Sequence, residues 1–356
     1  MMEPRKVQKV GYSTLSVSLP MSWTKKVGIK KGDVVFLSEE KDGALRLTVE
    51  PGRAEDRSIY VVNVDNCDNT KILDRVIVGN YVLGRNILKV ASSRRLMREQ
   101  IESIRAVTQR LLGIGIIEES DHHLILQCSI DPKNFPVSTV MRRLYVITSI
   151  MFKETVDSLI EGDAELAKDA MMREHEADMM YWLLARLLSS AQQSGMVAEQ
   201  IGITDPMDIL QSNAIAWFLE MIGDRVLQIA VKSLDLQSYR KEIHNELLER
   251  LSQMGLMTFT IFDKAASSIF DGNVKIASDA VDMGEMLEKE ERNLLADYRK
   301  RFPEANMDLV ALLIAIIWEF KIIAEGSAAI AKTTIDKVLR YKSDICDASA
   351  EKDQKV

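Results

Sequence analysis

The chain has 356 residues, 47% apolar and 28% charged, with a formal net charge of -7; that balance excludes wholesale disorder, and the length exceeds one core. Cys67, Cys128 and Cys346 lie far apart and form no CxxC pair, which argues against a disulfide framework or zinc knuckle and fits a reducing cytoplasm. Residues 1–53 hold ten of the 46 Lys and Arg but six of the 53 Asp and Glu, so only this basic head suits a nucleic-acid partner.

The head reads as a small β-rich domain over 1–53. Leu15, Val17 and Leu19 alternate with Thr14, Ser16 and Ser18, the period of a half-buried strand. Pro20 opens a helical turn over 21–27, and Gly28 supplies its left-handed exit. Gly32-Asp33 turns into a strand over 34–38, and Asp42-Gly43 is a type I′ hairpin signal before a strand over 44–49. So few short strands cannot close a core alone, so an intertwined homodimer is expected.

Residues 52–58 are polar and read as a linker, followed by an α/β spacer domain over 56–132. Strands are predicted at 60–64, 87–90, 113–118 and 123–130, with helices at 69–83 and 95–112. Beyond Asp131-Pro132 and Pro136 the pattern is helical to about residue 341. Breaks at Gly162-Asp163, residues 202–205, Gly272-Asn273 and Pro303 give helices at 137–161, 163–193, 206–234, 238–270, 273–300 and 304–342. They divide into three-helix bundles over 137–237 and 238–345, before a charged tail, 346–356, expected to fray.

No apolar stretch follows the charged opening at 3–9, so no secretory signal is expected. The most apolar run, 309–318, is too short for a bilayer span of about 20 residues. It reads as a buried helix, and a cytoplasmic protein without membrane insertion is expected.

An internal repeat runs through the helices. Residues 161–170 align without gaps on 271–280, with Gly162 on Gly272, an offset of 110. In the third helix of each half, Trp217 matches Trp318 and Ile229-Ala230 matches Ile330-Ala331, an offset of 101. A three-helix unit has been duplicated.

The third helix is apolar nearly all round over 214–231, its polar side chains being Glu220, Asp224, Arg225 and Gln228. Two carboxylates spaced i, i+4 on a largely buried helix demand a partner. Glu174 and Asp178 carry the same spacing on the second helix, one turn before Trp182. If the pairs face each other, only cations make the cluster tolerable, either a multivalent metal or neighbouring Arg and Lys. The competing reading leaves Glu174 and Asp178 on the surface, paired with Arg173, Arg186 or solvent.

The duplicate acts as an internal control. Its corresponding residues are Gly284, Glu288, Lys321 and Glu325, so two of four carboxylates are gone, and Lys321 is placed to neutralise Glu325. His122-His123 falls in a predicted turn and reads as solvated, and His175 lies on a different face from Glu174 and Asp178. No paired Glu-x-x-His motif, phosphate loop or nucleophile elbow occurs, so no catalytic residue is assigned and no enzyme is expected. Eighteen methionines, with Trp182, Trp217 and Trp318, read as core filling, though the methionines would also suit an adaptable docking surface.

In the head, Arg5, Lys6, Lys9, Lys25, Lys26, Lys30 and Lys31 cluster along one strand and the helical turn. Doubled by a two-fold axis they suit the phosphates of a palindromic DNA site. They equally suit solubility decoration on a dimerisation domain.

Two resemblances rest on these residues. Gly11, residues 13–20, Trp23, Gly28-Ile29, Gly32-Asp33, Val35 and Gly43-Ala44-Leu45 resemble the AbrB/SpoVT swapped-hairpin family. That resemblance implies an intertwined dimer that binds DNA through the head's basic residues. Met151-Phe152-Lys153-Glu154, residues 173–178 and residues 219–224 resemble the PhoU family. It implies a tandem pair of three-helix bundles, a divalent or ferric metal ion at Glu174, Asp178, Glu220 and Asp224, and work with a phosphate transporter or its signalling kinase. The expected fold is mainly α, with a swapped-hairpin head, an α/β spacer and PhoU-like bundles. The expected function is a dimeric DNA-binding regulator of phosphate uptake; the alternative is a transporter adapter whose head only dimerises.

Overall fold

The computed structural model describes residues 4–39, 43–48, 58–301 and 306–341. They fall into two units, Met1–Arg57 and Ser58–Val356.

The first unit holds two antiparallel hairpins and one short helix. β1 (Gln8–Val10) pairs with β2 (Thr14–Ser16), so the strand predicted at 14–19 is regular only over its first half. α1 (Met21–Val27) ends at Gly28 in the left-handed conformation, and β3 (Phe36–Glu39) pairs with β4 (Leu45–Thr48). Gly43 has the positive φ that its predicted turn requires, while Asp42 lies outside the described residues. So do residues 52–57 of the linker and the whole tail, 346–356. No described side chain of this unit is buried.

The second unit begins with a four-stranded sheet of β5 (Ile59–Asn63), β6 (Ile87–Ala91), β7 (Ile114–Glu119) and β8 (His123–Cys128), in the order β5-β6-β8-β7. α2 (Thr70–Val82) crosses from β5 to the parallel β6, and α3 (Arg98–Gln109) leads into the antiparallel β7–β8 hairpin. Asn69 caps α2, its side chain accepting from the Ile72 N–H at 3.1 Å. Leu73, Ile77 and Tyr81 of α2 and Ile104 and Val107 of α3 close over Val90, Leu124 and Leu126 of the sheet. Every predicted spacer element is present.

Seven helices follow: α4 (Val137–Glu161), α5 (Ala164–Gln193), α6 (Gly195–Gln200), α7 (Pro206–Leu236), α8 (Asn245–Asp271), α9 (Val274–Arg301) and α10 (Met307–Leu339). The duplication recurs in the caps. Gly162 and Gly272 both adopt positive φ, and their N–H groups donate to Ser158 and Ser268 at 2.8 and 2.9 Å. α6 was not expected, and α8 starts seven residues later than the sequence pattern predicts. The cause is Arg240, whose guanidinium donates to Leu159 and Ile160 carbonyls at the end of α4 and holds the intervening chain out of helix.

The halves are not separate globules. One apolar core runs from Val137 to Ala331 and takes side chains from both. Tyr145 of α4 donates to Asp263 of α8 at 2.6 Å. At Gly326 of α10 an added Cβ would meet Met221 Cε of α7 at 2.5 Å, so this glycine lets the two third helices approach.

The spacer is fixed to α5 by Arg186, only 4% exposed. Its guanidinium donates to the carbonyls of Tyr81 (2.7 Å), Arg85 (3.1 Å) and Gly84 (3.2 Å) and to Asn86 Oδ1 (2.6 Å). Those acceptors sit in the turn that follows α2, where the last carbonyls of a helix run short of helical N–H partners; Tyr81 also accepts from the Gly84 N–H at 3.0 Å. Trp182, one turn earlier, packs against the spacer core.

Candidate functional site

Glu174 and Asp178 of α5 and Glu220 and Asp224 of α7 are all partly buried. Their charges act on one another. Burial first, then the charges of Asp178 and Asp224, push the Glu174 carboxyl up to about 7, and Arg110 opposes the shift. Burial and the charges of Asp224, Asp178 and Glu174 push Glu220 up to about 7 as well, against Arg225. Asp178 and Asp224 are also raised, mainly by burial. The phenol of Tyr181 is raised by burial and by the fields of Glu220 and Asp178.

Neither cation named for the surface reading serves this group. Arg173 is taken by Glu154 at 2.8 Å, and Arg186 by the spacer. The counter-charges come from elsewhere. Arg110, at the C-terminal end of α3 in the spacer, acts on Glu174 and Asp178 across the fold. Arg225 acts on Glu220 and Asp224 and also pairs with Glu319 of α10 at 3.4 Å. Glu319 is 7% exposed and is held further by Lys232 at 2.9 Å. Arg110 could not be found by local pattern, because its partners lie more than sixty residues away.

The donor chemistry fits a hard cation: four partly buried carboxylates, each with a raised proton affinity, are stabilised by any positive charge among them. Among the described residues, however, no three His, Cys, Asp or Glu side chains stand close enough to form a metal-holding group. The four carboxylates expected to converge as a metal site share a field rather than a coordination sphere. His175 is exposed, and His123 Nε2 is 2.8 Å from Glu118.

The second half has rebuilt the same place. Lys321 pairs with Glu291 at 3.6 Å, not with Glu325 as expected, because Glu291 occupies the position of Tyr181 in the repeat and lies against the lysine. With Gly284, Glu288 and Glu325 they line a cavity of about 320 Å³. Two tryptophans expected in the core are half exposed, Trp217 at 49% and Trp318 at 53%, each one turn before a site residue. Lys321 Nζ lies 5.3 Å from the Trp318 ring centre. The methionines divide: Met141, Met151, Met180 and Met254 are buried, whereas Met172, Met286 and Met307 are exposed.

In the head, Arg5, Lys6, Lys9, Lys25, Lys26, Lys30 and Lys31 are all exposed. Lys25 and Lys26 occupy the last turn of α1, where a cation suits the helix dipole. The apolar side chains of Val10, Leu15, Val17, Phe36, Leu37 and Leu45 are exposed too.

Two protein families match the sequence. Residues 141–232 match the PhoU domain. Residues 8–56 match the antidote-toxin recognition protein MazE, a bacterial antitoxin. Among solved structures, PhoU from Pseudomonas aeruginosa aligns with a TM-score of 0.51 at 16% identity, over 57% of this chain and 95% of that one. The phosphate transport system regulatory protein PhoU from Streptococcus pneumoniae aligns at 0.49 and 16% identity, over 58% and 96%. No curated protein matches the chain. The Pseudomonas likeness establishes the helical fold of the body.

Proposed function

We propose, for a chain that joins a MazE-type segment to a PhoU-like helical body, a homodimeric cytoplasmic regulator of phosphate uptake whose head binds DNA. The observation that carries this reading is the state of the head. No described side chain there is buried, while Val10, Leu15, Val17, Phe36 and Leu37 face solvent beside seven exposed cations. A second copy of the head covers the apolar set, and the two-fold axis doubles the basic one, which is the charge pattern of a palindrome reader.

The body is the input. Its likeness to PhoU supports docking on phosphate transport machinery. A divalent or ferric ion would be held by Glu174, Asp178, Glu220 and Asp224, which would have to draw together around it. Bound there it supplies the positive charge that burial and mutual repulsion call for. The chain's own residues then set the response: Arg110 links the carboxylates to the spacer, and Arg225 links them to Glu319 in the second half. This is the chemistry of a regulator, not of an enzyme.

The test is DNA binding by fluorescence anisotropy across a salt series, with the upstream region of the chain's own gene, scrambled DNA and a Lys25→Ala/Lys26→Ala variant. Preference for the upstream region, weakened in the variant with a shallower salt slope, supports the regulator. Equal or absent binding to both DNAs leaves a transporter adapter whose head only dimerises.

A further inference from the structure

A second site lies within the helical body where its two halves meet, and none of the four carboxylates lines it. A cavity of about 350 Å³ opens between the start of α4, the loop before α7 and the ends of α8 and α10. Its polar lining is almost all donor: the hydroxyls of Ser138, Thr139 and Ser212, the guanidinium of Arg142 and the ammonium of Lys337.

None of these side chains donates a hydrogen bond to another described residue. Ser212 is 6% exposed, yet its hydroxyl has no hydrogen-bond partner among the described residues. Neither Arg142 nor Lys337 forms an ion pair within the described structure; Arg142 instead lies over the Phe270 ring at 4.0 Å, which fixes its plane at the cavity wall. At the start of α4 the N–H groups of Val137 and Thr139 are used by Ile201 and Pro136, and that of Ser138 is left over. The single acid in the lining, Asp208, is already neutralised by Arg340 at 3.1 Å and accepts from Tyr341 at 3.5 Å.

We propose that this cavity binds a phosphate group, free or as a small monoester. Two cations, three hydroxyls and a helix N-terminal amide offer more donors than the roughly four acceptor positions of a carboxylate take up, and a phosphate dianion takes more. The volume exceeds what the phosphate needs and lies within the roughly 300–1,000 Å³ of ligand pockets. Ile215, Ile269 and Phe270 line the remainder, a wall that suits a compact organic group on the ester. As the small-molecule input to the body, the site rests on the regulator reading; as a binding site it does not.

The experiment is isothermal titration calorimetry on the full chain in phosphate-free buffer without DNA, with inorganic phosphate, AMP, adenosine and succinate as titrants. The expected result is one saturable equivalent of phosphate or AMP per chain and none of adenosine or succinate. In Arg142→Gln and in Lys337→Gln the affinity falls at least about tenfold, near 1.4 kcal/mol, while the melting curve without ligand is unchanged. Tighter AMP assigns the ester, and equal affinities assign the free ion. Ser212→Ala, which removes one oxygen, weakens binding by a smaller factor and keeps the test open if either charge variant misfolds. No saturable phosphate or AMP binding, succinate binding as tight as phosphate, or affinity unchanged in every variant overturns the site. Because DNA takes no part, that failure is separate from failure of the head to bind DNA.

Discussion

Lys321 Nζ stands 3.6 Å from Glu291, at the two positions where the first half carries Glu220 and Tyr181. One half keeps a carboxylate beside a phenol and leaves its negative charge to outside cations. Its duplicate closes the same place with an internal ion pair. Glu291 Oε2 is buried without a hydrogen bond, so the lysine is its main compensation. Lys321→Met is expected to destabilise the body by about 2 kcal/mol, because it leaves that charge uncompensated. Adding Glu291→Gln to it should restore most of the loss. Urea denaturation of the single and double variants checks both.

The first-half carboxylates predict a pH dependence of definite sign. Glu174 and Glu220 titrate near 7 when folded and near their ordinary 4.5 when unfolded. They bind protons more tightly in the native state, so the stability they contribute is fully present below about 4.5 and is lost as pH rises through about 7. In chelator the melting temperature should fall between pH 5 and pH 8, and Glu220→Gln should flatten the fall. Arg110→Ala should steepen it, since Arg110 is the spacer's counter-charge. Added Mn²⁺ should restore the melting temperature at pH 8 in the native chain and much less in Glu220→Gln.

Arg186 predicts a selective loosening. Replacing it with Met removes four hydrogen bonds to the turn after α2; the Tyr81 carbonyl keeps the Gly84 N–H, while the partly buried Gly84, Arg85 and Asn86 acceptors lose this donor. A loss of about 3 kcal/mol or more is expected, concentrated in the spacer. Hydrogen exchange should rise in α2 and β6 before it rises in α7 or α8; a uniform rise would contradict the assignment of Arg186 as the spacer's anchor.

Thr148 and Thr155 predict a gain. Both hydroxyls on α4 are fully buried and have no partner. Thr148→Val keeps the shape and removes the unsatisfied group, so it should stabilise by about 1 kcal/mol, measured by thermal or urea unfolding. A loss there would show that a water or a neighbour satisfies Oγ1 in solution.

Much of this architecture was legible because its signals are local. Gly162, Gly272 and Pro136 mark helix ends by backbone chemistry alone, and the alternation in β6 and β8 marks which side meets the core. Seeing Glu220 and Asp224 on an apolar helix was enough to expect that their charge is costly, and their raised proton affinity agrees. What could not be read was set by tertiary contact. Arg240 stops the helix pattern before Asn245 by capping helix carbonyls 80 and 81 residues upstream. Arg110 reaches the carboxylates only because the spacer is folded onto α5. Trp217 and Trp318 were misplaced because a helix apolar all round does not say which of its large side chains is left at the rim.

The single core shared by α4 to α10 also bears on how the chain is made. When α7 leaves the ribosome, the surface that α8 and α10 will cover is bare, and roughly a hundred residues remain to be synthesised. At about 5–20 residues per second the first half waits for about 5 to 20 seconds with apolar side chains exposed. That interval makes the nascent chain a natural client for chaperones, and it makes neither half a module that can be cut out and grafted elsewhere.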